Sequence, residues 1–147
     1  MLSEFEKVLN ISDTYTFVRF SFKLDKQYAK MRIRFGFAPH VLEDEAENLR
    51  LIRQCYAKYA PYLTDIADKD KGKKLCNHIS LTLDTPAGCA GTAHRGQCSQ
   101  EYEFYDGFAS PGFMPFSLVP GEYFITMAIN SIVIDGTKLS ITVGALS

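Results

Sequence analysis

The chain has no tryptophan, three histidines and four cysteines. Nowhere does it hold the ~18 consecutive apolar residues that a bilayer-spanning helix needs, so no such helix is expected. It also lacks a charge excess: 16 Lys and Arg stand against 17 Asp and Glu, a formal net charge of −1. Without that excess no overall field draws in nucleic acid or an anionic membrane surface, and neither is an expected partner. The first residues, Met1-Leu-Ser-Glu-Phe-Glu-Lys, carry acids and lack the apolar stretch of a secretory signal. The expected location is therefore cytoplasmic. There Cys55, Cys76, Cys89 and Cys98 are expected as reduced thiols.

What is present is apolar and aromatic. Of 147 residues, 46% are hydrophobic, with 11 Phe and 8 Tyr. That is enough for one domain with a real core over residues 1–147. Residues 1–12 read as a leader that either packs on the sheet or frays. From Thr14 the sequence alternates, with Thr16, Val18, Phe20 and Phe22 on one face. A second strand is cleaner: Met31, Ile33, Phe35 and Phe37 point one way, and Lys30, Arg32 and Arg34 the other. After Pro39 the period changes. Leu42, Ala46, Leu49, Ile52, Tyr56 and Tyr59 recur at three and four, which predicts an amphipathic helix over residues 41–60. Acids lead that helix and bases close it, as its dipole favours, and residues 64–74 follow as a charged loop.

Strands resume at residues 78–84 and 101–105. Between them lies a stretch read as a long loop, Thr85-Pro-Ala-Gly-Cys-Ala-Gly-Thr-Ala-His-Arg-Gly-Gln-Cys98. Residues 122–129 and 137–143 read as a final hairpin turning at Asp135-Gly136. So many one-sided strands predict a mainly β fold: a two-layer antiparallel β-sandwich, jelly-roll-like, with one inserted amphipathic helix around residues 41–60.

The turns carry a family likeness. Asn77-His-Ile-Ser-Leu-Thr-Leu-Asp-Thr-Pro-Ala-Gly, Ala93-His-Arg, Phe108-Ala-Ser-Pro-Gly-Phe-Met-Pro and Leu118-Val-Pro-Gly-Glu-Tyr-Phe-Ile together resemble the front β-sandwich domain of CehA/McbA-type metallohydrolases. The general layout also looks like bacterial pre-peptidase C-terminal domains. In the metallohydrolases a catalytic domain of the PHP superfamily follows and opens with His-x-His. Here His40, His78 and His94 are not so spaced. The resemblance therefore implies the accessory domain alone, without the phosphoesterase activity.

Polar chemistry gathers in residues 85–98. Cys89, His94 and Cys98 are the candidate zinc ligands, with Cys76-x-His78 on the strand leading to them, since zinc favours thiolate and imidazole, but the paired CxxC knuckle is missing. The plain alternative is buried reduced cysteines and a loop histidine. No cofactor is expected beyond zinc on that trio. His94 and Arg95 are the candidate ligand-binding pair. Thiol catalysis on Cys89, His94, Arg95 and Cys98 would need a third, orienting group. Lys30, Arg32 and Arg34 read as a solvated basic stripe. Asp65, Asp68, Asp70 and Gly72 do not keep the order of a calcium loop. The helix reads as a cover for the sandwich. The functional expectation is a non-catalytic binding or interaction domain, docking onto a separate PHP-type hydrolase or onto itself. The alternatives are a small-molecule or carbohydrate-binding module using the 85–98 loop, and a cryptic metal- or thiol-dependent enzyme.

Overall fold

The computed structural model describes residues 1–147. Alternation in sequence becomes alternation between core and solvent. The strands are β1 (Ser3–Leu9), β2 (Thr16–Leu24), β3 (Lys30–Ala38), β4 (His78–Thr85), β5 (Gly88–Ala93), β6 (Ser99–Tyr105), β7 (Phe108–Ala109), β8 (Gly121–Ser131) and β9 (Thr137–Leu146), and the one helix is α1 (Glu45–Tyr59). One sheet runs β1-β9-β3-β6-β7 and the other β2-β8-β4-β5, all neighbours antiparallel. The predicted two-layer antiparallel arrangement with one helix is thus the observed one. Met31, Ile33, Phe35 and Phe37 from one sheet and Ile79, Leu81, Leu83, Ile125 and Met127 from the other lie in a single buried cluster of 24 residues. Aromatic pairs knit it, such as Phe22 stacked on Tyr123 at 5.3 Å.

Four expectations are corrected. Residues 1–12 are not a leader: β1 pairs with β9 over its whole length. Its Phe5 ring meets Phe20 of the other sheet at 4.8 Å. Exposed Glu4, Glu6 and Lys7 on this edge strand hide the alternation. Second, β8 and β9 are not a hairpin. The turn at Asp135-Gly136 exists, with Gly136 at φ 79°, but it carries the chain from one sheet to the other. Third, α1 is shorter than residues 41–60 and does not cover the sandwich. It starts where Asp44 accepts the Glu47 N–H (2.9 Å) and buries only Asn48 and Ile52. Leu42, Ile52 and Ile66 are buried outside the main core. The helix is pinned by a polar side chain: Asn48 donates to the Leu42 carbonyl (2.6 Å) and accepts the Leu75 N–H (2.7 Å). Fourth, the basic stripe is not free in solvent. Arg32 donates to Glu103 of β6 (2.6 Å), as does Lys30 (2.8 Å), and Arg34 pairs with Glu101.

Half of the 85–98 stretch is strand. After a turn at Pro86-Ala87, β5 pairs with β4. Its other edge is covered by the Ser-Pro-Gly-Phe turn: Thr92 N–H donates to the Gly112 carbonyl (3.1 Å) and Met114 N–H to the Ala90 carbonyl (2.8 Å). A Cβ on Gly91 (φ 143°) would sit 2.2 Å from the Gly112 oxygen. The glycines here serve close backbone approach, which loop flexibility does not require.

One end of the sandwich is tied by Asn77, wholly buried. Its Nδ2 donates to the Pro39 carbonyl (2.8 Å) and to Thr137 Oγ1 (2.9 Å), and its Oδ1 accepts the Val133 N–H (2.8 Å). Its own N–H donates to the His40 carbonyl (2.9 Å). Asn77→Leu strands these partners and should cost about 3 kcal/mol in urea unfolding. Gly91→Ala should cost about 3 kcal/mol through strain and clash. Gly72→Ala, also at positive φ (77°) but in open space, should cost about 1 kcal/mol. Equal losses for the two glycines would contradict the close-approach account.

Candidate functional site

The four-stranded sheet presents an outer face whose rows follow from its register. Phe17 lies opposite Ala128, and Ala128 opposite Ser80. In the next row stand Arg19, Thr126, Thr82 and Thr92. Then come Ser21, Phe124 and Asp84. Phe17 is 74% exposed although it sits on a paired strand. The Arg19 guanidinium lies over the Phe124 ring at 4.0 Å. Between Phe17 and Ser80 the floor is low, formed by the short side chain of Ala128.

At the β4–β5 end of this face four side chains meet. His78 and His94 have ring centroids 4.4 Å apart. Behind them, Ser80 Oγ lies 2.6 Å from His94 Nδ1, and Asn130 Nδ2 lies 2.7 Å from Ser80 Oγ and 2.9 Å from His78 Nδ1. Both amide protons of Asn130 are donated, one to Ser80 and one to His78. With the Ser80 hydroxyl donating in turn to His94, both Nδ1 atoms accept and each neutral ring carries its proton on Nε2. Neither Nε2 has a protein partner in this network.

His78 is half-buried, and loss of hydration pushes its pKa below the usual histidine value, with His94 and then His40 adding to the effect.

The residues singled out in sequence do not converge. His94 and Arg95 serve different sheets. His94 joins Ser80 on the outer face, whereas Arg95 donates to the Pro111 carbonyl (2.9 Å) and lies 4.8 Å over the core ring of Tyr102. Arg95 is thus a clamp between turn and sheet. Cys89 stands opposite Asp84 in one sheet, while the Cys98 carbonyl accepts the Phe37 N–H at the margin of the other. No three His, Cys, Asp or Glu side chains gather in a metal-holding group, so Cys89, His94 and Cys98 are not one. Nor are the cysteines buried: Cys55, Cys76 and Cys89 are exposed, Cys98 is partly so, and all four are free. Spacing along the chain does not pair His78 with His94, and Ser80, Asn130 and Phe17 carry no local signal of a site; the β4–β5 and β4–β8 registers bring them together.

No protein-family model matches the chain, and no curated protein matches it. Among solved structures, a crystal structure of a protein from Sulfurospirillum deleyianum aligns over 98% of this chain and 99% of its own, at 12% identity and a TM-score of 0.36. No helix is long and apolar enough to cross a membrane.

The lowered His78 pKa has a pH consequence. The unfolded chain takes up this proton near 6.5, the folded chain only at lower pH. Stability from this group is therefore complete above 6.5 and declines as pH falls below it. Unfolding midpoints should drop between pH 7 and pH 5, and His78→Gln should flatten that drop. An unchanged slope in the variant would remove His78 as its source.

Proposed function

We propose that this chain is a non-catalytic binding module that takes a neutral, polyhydroxylated ligand, of carbohydrate type, on the outer face of its four-stranded sheet. The observation that carries this reading is Phe17: an aromatic ring three-quarters exposed on a rigid strand. A sugar ring offers a C–H face that packs on such an aromatic, and hydroxyls that need directed donors and acceptors. Across Ala128 the same row reaches Ser80 and His94, an exposed side chain whose Nε2–H is left without a protein partner as a donor. Three strand spacings separate β2 from β5, about 14 Å, room for more than one sugar unit. Low relief and satisfied polar groups suit a preformed face that needs no ordering when it binds.

A jelly-roll reading of the fold accords with this. With the two-residue β7 set aside, the orders β1-β9-β3-β6 and β2-β8-β4-β5 support two interleaved Greek keys, an architecture shared by lectin domains. That analogy is one of fold and leaves the ligand to the site itself. The accessory role implied by the resemblance to CehA/McbA-type enzymes accords with a non-catalytic module. It rests on turn motifs. A non-catalytic reading is also supported by Ser80. The residue is 3% exposed and its hydroxyl is already engaged with Asn130 and His94, and no group bonds the far side of His94 to orient it as a base.

Titration of the protein with a panel of neutral mono- and oligosaccharides, followed by calorimetry, should find at least one saturable ligand. Phe17→Ala should weaken it at least tenfold while the thermal midpoint stays within a few degrees. Absence of any binding across the panel at millimolar sugar, or binding indifferent to Phe17→Ala, would sink the reading.

A further inference from the structure

The histidine pair does something the sugar reading does not require. We propose that His78 and His94 form a two-histidine site for a divalent transition-metal ion, with Asn130 and Ser80 setting which ring nitrogen carries the proton. Three observations carry this. The rings are 4.4 Å apart at their centroids, close enough for two imidazoles to share one ion. Each is held by its Nδ1 to the same Ser80–Asn130 pair. Each leaves Nε2 without a protein partner. Imidazole nitrogen suits Zn²⁺, Cu²⁺ and Ni²⁺, and discriminates against Ca²⁺ and Mg²⁺.

As drawn, the network presents Nε2–H, which cannot ligate. A half-turn of the Asn130 amide changes that. With Oδ1 in place of Nδ2, the carbonyl oxygen uses its two lone pairs to accept from His78 Nδ1–H and from the Ser80 hydroxyl. Ser80 Oγ then accepts from His94 Nδ1–H. All three hydrogen bonds survive with donor and acceptor exchanged. Each ring still holds one proton, moved from Nε2 to Nδ1, so no proton is gained or lost. Both Nε2 lone pairs now face outward. Nδ1–H held by an oxygen acceptor is the support that metal-bound histidines ordinarily have. With two protein ligands the ion keeps water in its other positions, and exchanges more readily than one in a closed four-ligand site. The site is distinct from the trio Cys89, His94 and Cys98, which shares only one member with it.

The test uses the whole chain, stripped with EDTA and titrated with ZnCl₂ by calorimetry. Nitrogen-15 spectra of the histidine rings read the tautomer directly. One Zn²⁺ per chain is expected. In the free protein the proton sits on Nε2 of His78 and His94, and with zinc it moves to Nδ1. His78→Gln and His94→Gln should each weaken binding at least tenfold, while Cys89→Ser leaves it unchanged. Asn130→Asp can only accept, so it fixes the ligating tautomer and should tighten zinc about 10-fold or more. Circular dichroism of each variant establishes that it folds. No saturable zinc heat in the folded wild type overturns the proposal. So does stoichiometric binding that persists in the His78→Gln/His94→Gln double variant, or ring spectra that zinc leaves unmoved. Sugar titrations of the zinc-free protein are read separately, so failure of one proposal leaves the other standing.

Discussion

A single buried amide holds the two sheets in register at one end. Asn77 sits where three excursions converge: the exit of β3, the entry to β4 and the crossing from β8 to β9. Each excursion leaves a backbone group that no ladder satisfies. In a low-dielectric interior an unpaired group of that kind is costly. Asparagine answers because its short amide offers two donors and an acceptor in one plane. Thr137 extends the network by passing its own proton to the Ile134 carbonyl (2.7 Å). The consequence reaches the surface. His78 is the next residue, at a point where the β4–β8 register shifts. Fixing Asn77 therefore fixes where the His78 ring stands relative to Asn130.

The opposite margin of the same sheet is governed by backbone proximity. Gly91 and Gly112 let the 112–114 segment lie against β5 and accept or donate its free edge groups. An edge strand left open invites association with other chains, and here that edge is closed. Arg95 reinforces the closure from the far side by clamping Pro111. Buried polar pins at one end and a covered edge at the other keep β4 and β5 paired. On that support His94 stands beside His78.

Legibility in the sequence followed burial. β3 is readable because Met31, Ile33, Phe35 and Phe37 share one face and Lys30, Arg32 and Arg34 the other. Its charged face was misjudged, since the acids that neutralise it arrive from residues 101 and 103, whose pairing no local pattern announces. β5 was unreadable because small residues replace the apolar set: the constraint on Gly91 comes from Gly112, far along the chain. β1 was lost for a related reason, an edge position that permits Glu4 and Glu6. The turn at Asp135-Gly136 was recognised by its chemistry. Its destination was not, because turn residues fix a reversal and leave the choice of partner strand to the core. The pairing of His78 with His94 follows from the β4–β5 register, which no local spacing announces.

The strand order also sets the timetable of folding. β9 stands between β1 and β3, and β8 between β2 and β4. Both sheets thus lack an interior strand until residues 121–146 have been made. Up to that point β1, β2 and β3 have no partners except the β3–β6 pairing, and the nascent chain holds exposed aromatic strands. Closure pairs residue 3 with residue 143, a contact across almost the whole length, of the kind that makes β-proteins slow to fold. Pairings such as β3–β6 and β4–β5 can form earlier, but neither sheet is complete until β8 and β9 are available.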